Sequence, residues 1–227
     1  MKRFFALLFC LCMLAPGALA AQEELPLIGV CVYYGEDTFM ASLMNVIQQQ
    51  AQGRARLLMY DAGNDQNRQN DQVADMIAQG CDALIINPVD RPSCVYLIEM
   101  AMQRSLPIVL INREPLRSDL ARYDRAYYVG IDPKQQGFLA GQMAALYFQT
   151  HPEADLNGDG RMQLVLLRGQ PGHQDTELRS VYSLRALQMA GVETDILGEE
   201  TAMWERPLAQ ERMSALLNQF AGRIECV

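Results

Sequence analysis

The feature that most constrains this chain is an alternation. Short apolar runs are each followed by a longer amphipathic stretch, almost without interruption. LIGVCVYY (27–34) reads as a buried strand, because a short continuous apolar run leaves no polar face for water. Residues 38–51 follow as a helix with Phe39, Leu43, Val46 and Ile47 on one face. RLLMYDA (56–62) predicts a second strand, and 67–79 a helix with Val73, Met76 and Ile77 inward and Gly80 as its cap. DALIINP (82–88), a helix through 95–100 and PIVLIN (107–112) continue the pattern. Repeated strand–helix–strand units close as a parallel sheet with helices on both faces.

After the polar loop EPLRSD, the run AYYVGID (126–132) leads into a long helix at 133–149. That helix opens with Pro133, where the missing N–H costs nothing. The alternation then restarts with a strand at 162–169, a helix at 175–190, a strand at 192–197, a helix at 206–219 and a last strand, RIECV, at 223–227. The fold expected is therefore α/β in two lobes with parallel sheets, 26–130 and 131–227. The second is expected to be incomplete, since the chain stops within a strand.

Residues 1–20 read as a signal peptide. Lys2 and Arg3 precede the apolar run FFALLFCLCML, and ALA ends at Ala20. The run is too short to span a bilayer, so an exported, soluble protein is expected. The formal charge is −8, and it falls further without the leader. An acidic exported chain is a poor partner for nucleic acid. Cys31, Cys81, Cys94 and Cys226 lie inside apolar runs rather than in a spaced framework. That favours buried thiols over disulfides, although an oxidising compartment permits a disulfide.

One polar stretch stands out. In DLNGDGRMQLVL (155–166), Asp155, Asn157, Asp159, Gly160 and Gln163 occupy positions 1, 3, 5, 6 and 9 of a calcium-binding EF-hand loop. Position 12 requires a bidentate glutamate, and the residue there is Leu166. Either the loop is a metal-free turn, or the carboxylate arrives from elsewhere in the chain. The amide-rich NDQNRQND (64–71) reads more simply, as a helix start capped by Asn64 or Asp65 with a solvated polar face. Tyr127 and Tyr128 read as packing residues, and Met40, Met44, Met76 and Met100 as fillers of core gaps.

Several words occur together in a recognisable order from Leu27 to Val227: NDQNRQNDQ, REP, YDRAYYVG, DLNGDGRMQ, GQPGH and TAMW. In them the chain resembles the periplasmic galactose/glucose-binding proteins, sugar-binding members of the type I periplasmic binding protein family. The resemblance implies two Rossmann-like lobes joined by hinge strands and closing on one sugar. It implies that Phe39 and Trp204 sandwich the pyranose while Asp37, Asn112, His173, Asp175 and Arg179 hydrogen-bond its hydroxyls. It also supplies the missing calcium ligand. Asp155, Asn157, Asp159 and Gln163 would give side-chain oxygens, Arg161 its carbonyl, and Glu225 the bidentate carboxylate of a structural site.

Each sugar residue has a plainer alternative. Phe39 could be core, Trp204 a cover for the helix at 206–219, and His173 an exposed loop residue. Asp175 could be a helix cap, and Arg179 its i,i+4 surface partner. Together, the function implied is a monomeric periplasmic carrier of galactose or glucose. It would deliver to an ABC importer, with a chemoreceptor as a further partner. Three other readings compete. An exported hydrolase would use Asp37 and Asp175, but no separate acid–base pair stands out. A transcriptional regulator would need a helix-turn-helix where this chain has a leader. A truncated, non-functional remnant is the third. The family carries further sugar contacts beyond the position of Val227, so weak hexose binding or none is expected of this chain.

Overall fold

The computed structural model describes residues 24–227. The signal-peptide reading of 1–20 lies outside the described residues. β1 (Leu27–Val32), β2 (Arg56–Asp61), β3 (Ala83–Ile86), β4 (Ile108–Ile111) and β5 (Ala126–Val129) form one sheet. Their order is β2-β1-β3-β4-β5, and every neighbouring pair is parallel. The chain steps outward from β1 to β2, then returns to the other side of β1 as β3. That reversal opens a crevice above the carboxyl ends of β1 and β3, where open α/β sheets bind ligands.

The crossovers are α1 (Thr38–Ala51), α2 (Gln66–Ala78) and α3 (Cys94–Gln103). Val32, Leu84, Ile86, Ile108 and Leu110 are fully buried between them, in one cluster with Met40, Met76, Leu97 and Ile98. Each such side chain contributes about 1.5–3 kcal/mol by leaving water. The helix over 38–51 forms, but its inward face is rotated from the expected one. Met40, Leu43 and Met44 pack inward, while Phe39 and Val46 are exposed. The reason is local: Asp37 caps the first turn through the amides of Phe39 and Met40, and this setting turns Met40 to the sheet. A short helix, α4 (Arg117–Leu120), occupies the loop read as irregular.

Past Gly130 the chain builds a second lobe from α5 (Pro133–Thr150), β6 (Arg161–Arg168), α6 (Gln174–Met189), β7 (Glu193–Thr201) and α7 (Arg206–Gln219). β6 and β7 are parallel, with a register shift between Leu164 and Val165. β7 runs to Thr201 rather than ending near 197. Its charged residues pair with β6, Arg161 to Glu193 and Asp195 and Arg168 to Glu199, so a polar stretch is strand after all. RIECV, expected to be a strand, makes a single parallel bridge, Leu164 to Cys226. α5 lies close on α6 because Gly137 and Gly141 have no side chains there. A Cβ at Gly137 would fall 2.5 Å from the Arg179 carbonyl oxygen, and one at Gly141 2.2 Å from that of Ser183. Cys31, Cys81 and Cys94 are buried free thiols, and Cys226 is half-buried and free. Among the described residues no helix is long and apolar enough to cross a membrane.

Candidate functional site

Asp37 follows β1 at the carboxyl edge of the first sheet. Its Oδ1 accepts from the backbone N–H groups of Phe39 (2.8 Å) and Met40 (3.0 Å). Its Oδ2 accepts from the Tyr33 hydroxyl at 2.5 Å. Burial, then this carboxylate, pushes the Tyr33 phenol pKa well up, so the phenol keeps its proton and donates. A carboxylate has about four acceptor sites. Three are occupied, which leaves one on Oδ2 for a ligand hydroxyl.

Asn112 ends β4 at the same edge in a left-handed conformation, φ 64°. The Tyr128 hydroxyl donates to its carbonyl (2.9 Å), and Asn87 Nδ2 donates to its Oδ1 (3.2 Å). Tyr128 is thus half-buried support for the site, whereas Tyr127, read as packing, is exposed. Asn87 itself is fully buried. It also donates to the Ile111 carbonyl and accepts from the Tyr33 amide, tying the ends of β1, β3 and β4.

The amide-rich start of α2 completes this edge: Asn67, Arg68 and Asp71 are the solvated face expected, but its glutamines are not. Asp65 is the cap, as expected. Gln69, however, is fully buried. It donates to the Asn87 carbonyl (2.8 Å) and accepts from the Val89 amide (2.9 Å). Gln66 accepts from the Asp90 amide, and Gln72 donates to the Asp61 carbonyl. These amides satisfy backbone groups that run out of ladder partners where the strands end.

In the second lobe His173, rather than Asp175, caps α6, its Nδ1 accepting from the Asp175 amide at 3.1 Å. The ring is therefore assigned as the Nε2–H tautomer, leaving Nε2–H free to donate. Burial and the cations of Arg113 and Arg179 hold its pKa at about 4, so it is neutral at pH 7. It is a buried residue and not an exposed loop one. Asp175 is buried too, and its Oδ2 accepts from Arg179 Nη2 at 2.9 Å. Burial raises its pKa against the opposing pull of Arg179 and Arg113. This pair is not the surface i,i+4 contact its spacing allowed.

Trp204 follows β7 with φ 65°. It lies on the backbone of Gly169, where a Cβ would fall 2.2 Å from its ring. The His173 ring meets it edge-on at 5.5 Å, and the Arg179 guanidinium stands 5.9 Å from its centroid. The chain thus gathers His173, Asp175 and Arg179 beside Trp204 in the second lobe, and sets Asp37 of the first lobe with Trp204 on one cavity, while Asn112 stands at the edge of the first sheet. Phe39 stands at the start of α1, 59 % exposed, so it is not a core residue, and it lines neither that cavity nor the larger space beside Gly130.

Asp37 and Trp204 line a shared cavity of about 210 Å³, with Tyr33, Tyr34, Met203 and Arg206. That is below the roughly 300–1,000 Å³ of drug-sized sites and suits one sugar ring. A larger space of about 1140 Å³ lies beside the crossing at Gly130–Lys134 and reaches Arg113, Gln170 and His173. Tyr128 lines it as well, but neither Asp37 nor Trp204 does.

Arg113 was not anticipated, although it directly follows Asn112 and begins the word REP. Its guanidinium stacks on the Tyr33 ring at 4.4 Å, and Nη2 donates across the lobes to Gln170 Oε1 at 3.0 Å. A second cross-lobe bond runs from Gln174 Nε2 to Glu114 Oε2 at 2.9 Å.

The loop at 155–163 winds around its own oxygens. Asp155 accepts from the amides of Gly158 and Gly160, Asn157 Oδ1 from that of Asp159, and Asp159 Oδ1 from that of Arg161. Glu225, distant in sequence, seats its carboxylate on this loop: Oε1 accepts from the Leu156 amide (2.7 Å) and Oε2 from the Gln163 amide (2.9 Å). The side-chain amides of Asn157 and Gln163 donate to Asp159 Oδ2, an orientation that a flip of each amide reverses. Among the described residues no three His, Cys, Asp or Glu side chains gather into a ready metal cluster. The donor set is nonetheless all oxygen and mixed with amides, as hard cations require, and the residues fit calcium on that ground.

With this geometry in place, comparison with known proteins is informative. A family profile described as "Periplasmic binding protein domain" matches residues 28–227. The D-galactose/methyl-galactoside binding periplasmic protein MglB of Haemophilus influenzae is 38% identical over 203 residues, covering 88% of this chain and 61% of that protein. The ribose import binding protein RbsB of Bacillus subtilis is 31% identical over 153 residues, 67% of this chain and 45% of that protein. A solved structure from Mycobacterium smegmatis, in complex with β-D-fucofuranose, superposes with a TM-score of 0.72 at 20% identity. It covers 88% of this chain and 62% of that one, a likeness of fold. The chain spans less than two thirds of the length of each of these proteins.

Proposed function

The chain belongs to the periplasmic binding protein family, and from that premise we propose that it captures one hexose, galactose or glucose, between its lobes for an ABC importer. The observation that carries this reading is the convergence of side chains from both lobes. Asp37 of the first and Trp204 of the second line one cavity, and His173 lies within electrostatic reach of Asp37. Asp37 offers one acceptor site, His173 its Nε2–H, Asp175 its remaining oxygen, and Arg179 further N–H groups. Trp204 offers an apolar face to ring C–H groups, and the exposed Phe39 would close on the sugar's other face when the lobes close. A sugar touching both lobes stabilises the closed form only by its differential contacts there. The kinship with a galactose-binding relative supports a hexose. In this reading the protein works as a monomer in the periplasm, with a chemoreceptor as a second client of the closed form.

Binding is favoured over hydrolysis by how the carboxylates are committed. Asp37 is held by Tyr33 and the α1 amides, and Asp175 by Arg179. Neither is left as the free acid that protonates a leaving group. Asp155, Asn157, Asp159, the Arg161 carbonyl, Gln163 and Glu225 would hold a structural calcium, which would neutralise the carboxylates and pin 225 to the loop. Equilibrium dialysis of the chain extended with the C-terminal part of the Haemophilus influenzae relative tests the sugar reading. D-galactose or D-glucose should be retained better than pentoses or disaccharides. Equal retention of pentoses, or turnover of an aryl galactoside, would overturn it.

A further inference from the structure

We infer that Arg113 is a positioning residue that ties the setting of Asp37 in the first lobe to Gln170 in the second. The inference goes beyond the proposed hexose site but rests on it for its role in binding. A run of linked contacts carries it. Gln170 Oε1 accepts from Arg113 Nη2 at 3.0 Å across the lobes. The same guanidinium donates to the Val89 carbonyl and lies 4.4 Å over the Tyr33 ring. The Tyr33 hydroxyl donates to Asp37 Oδ2 at 2.5 Å, and Asp37 Oδ1 holds the amides of Phe39 and Met40.

A planar guanidinium makes this linkage in a way a lysine ammonium does not. It stacks on an aromatic face and donates from its edge in two directions at once. With the lobes together, Gln170 fixes the in-plane rotation of the guanidinium. The guanidinium then fixes the Tyr33 ring, whose hydroxyl decides which acceptor of Asp37 stays open. With the lobes apart, one of the two edge contacts is lost and Tyr33 has no fixed lid. Asp37, His173 and Asp175 all feel the Arg113 charge, so the residue stands at the meeting point of the site's two halves. Arg113 Nε is buried without a partner, which means the side chain is held by the stack and the two edge bonds alone.

The test reads amides that a merely local role for Gln170 would not move. The backbone N–H groups of Phe39 and Met40 rest on Asp37 Oδ1, in the other lobe from Gln170. Hydrogen exchange on the sugar-free 227-residue chain should quicken at residues 39 and 40 roughly tenfold in Gln170→Ala, the loss of about one charged hydrogen bond. Exchange in β3 should be unchanged. Gln170→Glu, which offers Arg113 a charged acceptor, should restore protection, and Arg113→Lys should behave like Gln170→Ala. Unchanged exchange at 39 and 40 in Gln170→Ala, or failure of the glutamate to restore it, overturns the linkage. A second arm titrates D-galactose by Trp204 emission. If wild type responds, Gln170→Ala and Arg113→Lys should each weaken binding and their combination no further, whereas additive losses refute the linkage. If the 227-residue chain does not respond, the same variants are titrated in a chimera extended with the C-terminal part of the Haemophilus influenzae relative; silence of that chimera fails the hexose reading, and the exchange arm still decides the linkage.

Discussion

The two lobes stand on different physics. In the first, β1, β3 and β4 of a five-stranded sheet are buried with the crossover helices in a continuous core. In the second, two strands and a small cluster around Ala145, Met162, Leu164, Leu187 and Val192 carry the packing. Leu139, Met143, Leu146 and Tyr147 form an exposed stripe on α5, and Val181, Met189 and Ile196 are exposed as well. What the second lobe adds instead is charge: Arg161 with Glu193 and Asp195, Arg168 with Glu177 and Glu199. Such part-exposed pairs contribute about 0–1 kcal/mol each. Apolar burial therefore stabilises the half that fixes Asp37. The half that carries His173, Asp175 and Trp204 depends on contacts sensitive to salt, cations and pH.

The sharpest test of that contrast is a pair of truncations. Leu84→Ala in β3 should cost about 2–5 kcal/mol, as cavities in packed cores do. Met143→Ala on the open face of α5 should stay within about ±0.5 kcal/mol. Urea melts followed by circular dichroism measure both. A costly Met143→Ala would mean that the stripe is covered in solution and the contrast is false.

Calcium should sharpen the comparison next. At a hundredfold excess over its dissociation constant, a cation held only by the folded loop adds about 2.7 kcal/mol. The gain should appear in the second lobe, reported by Trp204 emission, and vanish in Glu225→Gln. Identical melting midpoints in calcium and in chelator would remove the site.

The pH dependence should be similar in size or smaller. The His173 pKa is about 4 in the folded chain and about 6.5 unfolded. In that window the unfolded chain binds the extra proton, so stability falls as pH drops from about 6.5 to 4. The loss is at most about 3 kcal/mol. Asp175 has the opposite sign. Its raised pKa gives stability below the ordinary carboxylate range that is lost as pH rises through the folded value. His173→Gln should flatten the loss between pH 6.5 and 4, while an unchanged slope would assign it to other groups.

The smallest expected effect is chemical. Cys226 is half-buried on a single bridge, whereas Cys31 and Cys94 are buried and their thiol pKa values are pushed up to about 11 and about 12 by burial. Brief alkylation of the native protein should mark Cys226 first. Denatured without reductant, Cys31, Cys81, Cys94 and Cys226 should all react, and fewer of them would reveal a disulfide.

Much of this was legible because parallel βα units write themselves locally. The apolar runs at 27–34 and 82–88 have no polar face, and Asn64 or Asp65 and Pro133 mark helix starts by short-range chemistry. What escaped depends on partners distant in sequence. The charges of β7 conceal a strand because their counter-ions are on β6. Gln69 looks like solvated surface because the backbone groups it satisfies belong to the exit of β3. Arg113 carries no signal of a role until Tyr33 and Gln170 are seen on either side of it. The rotation of α1 that exposes Phe39 follows from one cap, a difference too fine for periodicity to resolve. Glu225 was tied to the loop by resemblance, and its two amide contacts there are a tertiary fact.

The central claim is that residues of both lobes hold one hexose. Its most direct test is a D-galactose and D-glucose titration of Trp204 emission, with Asp37→Ala as the contrast. It should be run on the 227-residue chain and on a chimera extended with the C-terminal part of the Haemophilus influenzae relative. The account predicts saturable binding in the chimera, weaker or absent in the shorter chain, and lowered at least tenfold by Asp37→Ala, about 1.4 kcal/mol or more. A chimera that ignores both hexoses, or binding indifferent to Asp37→Ala, would contradict it.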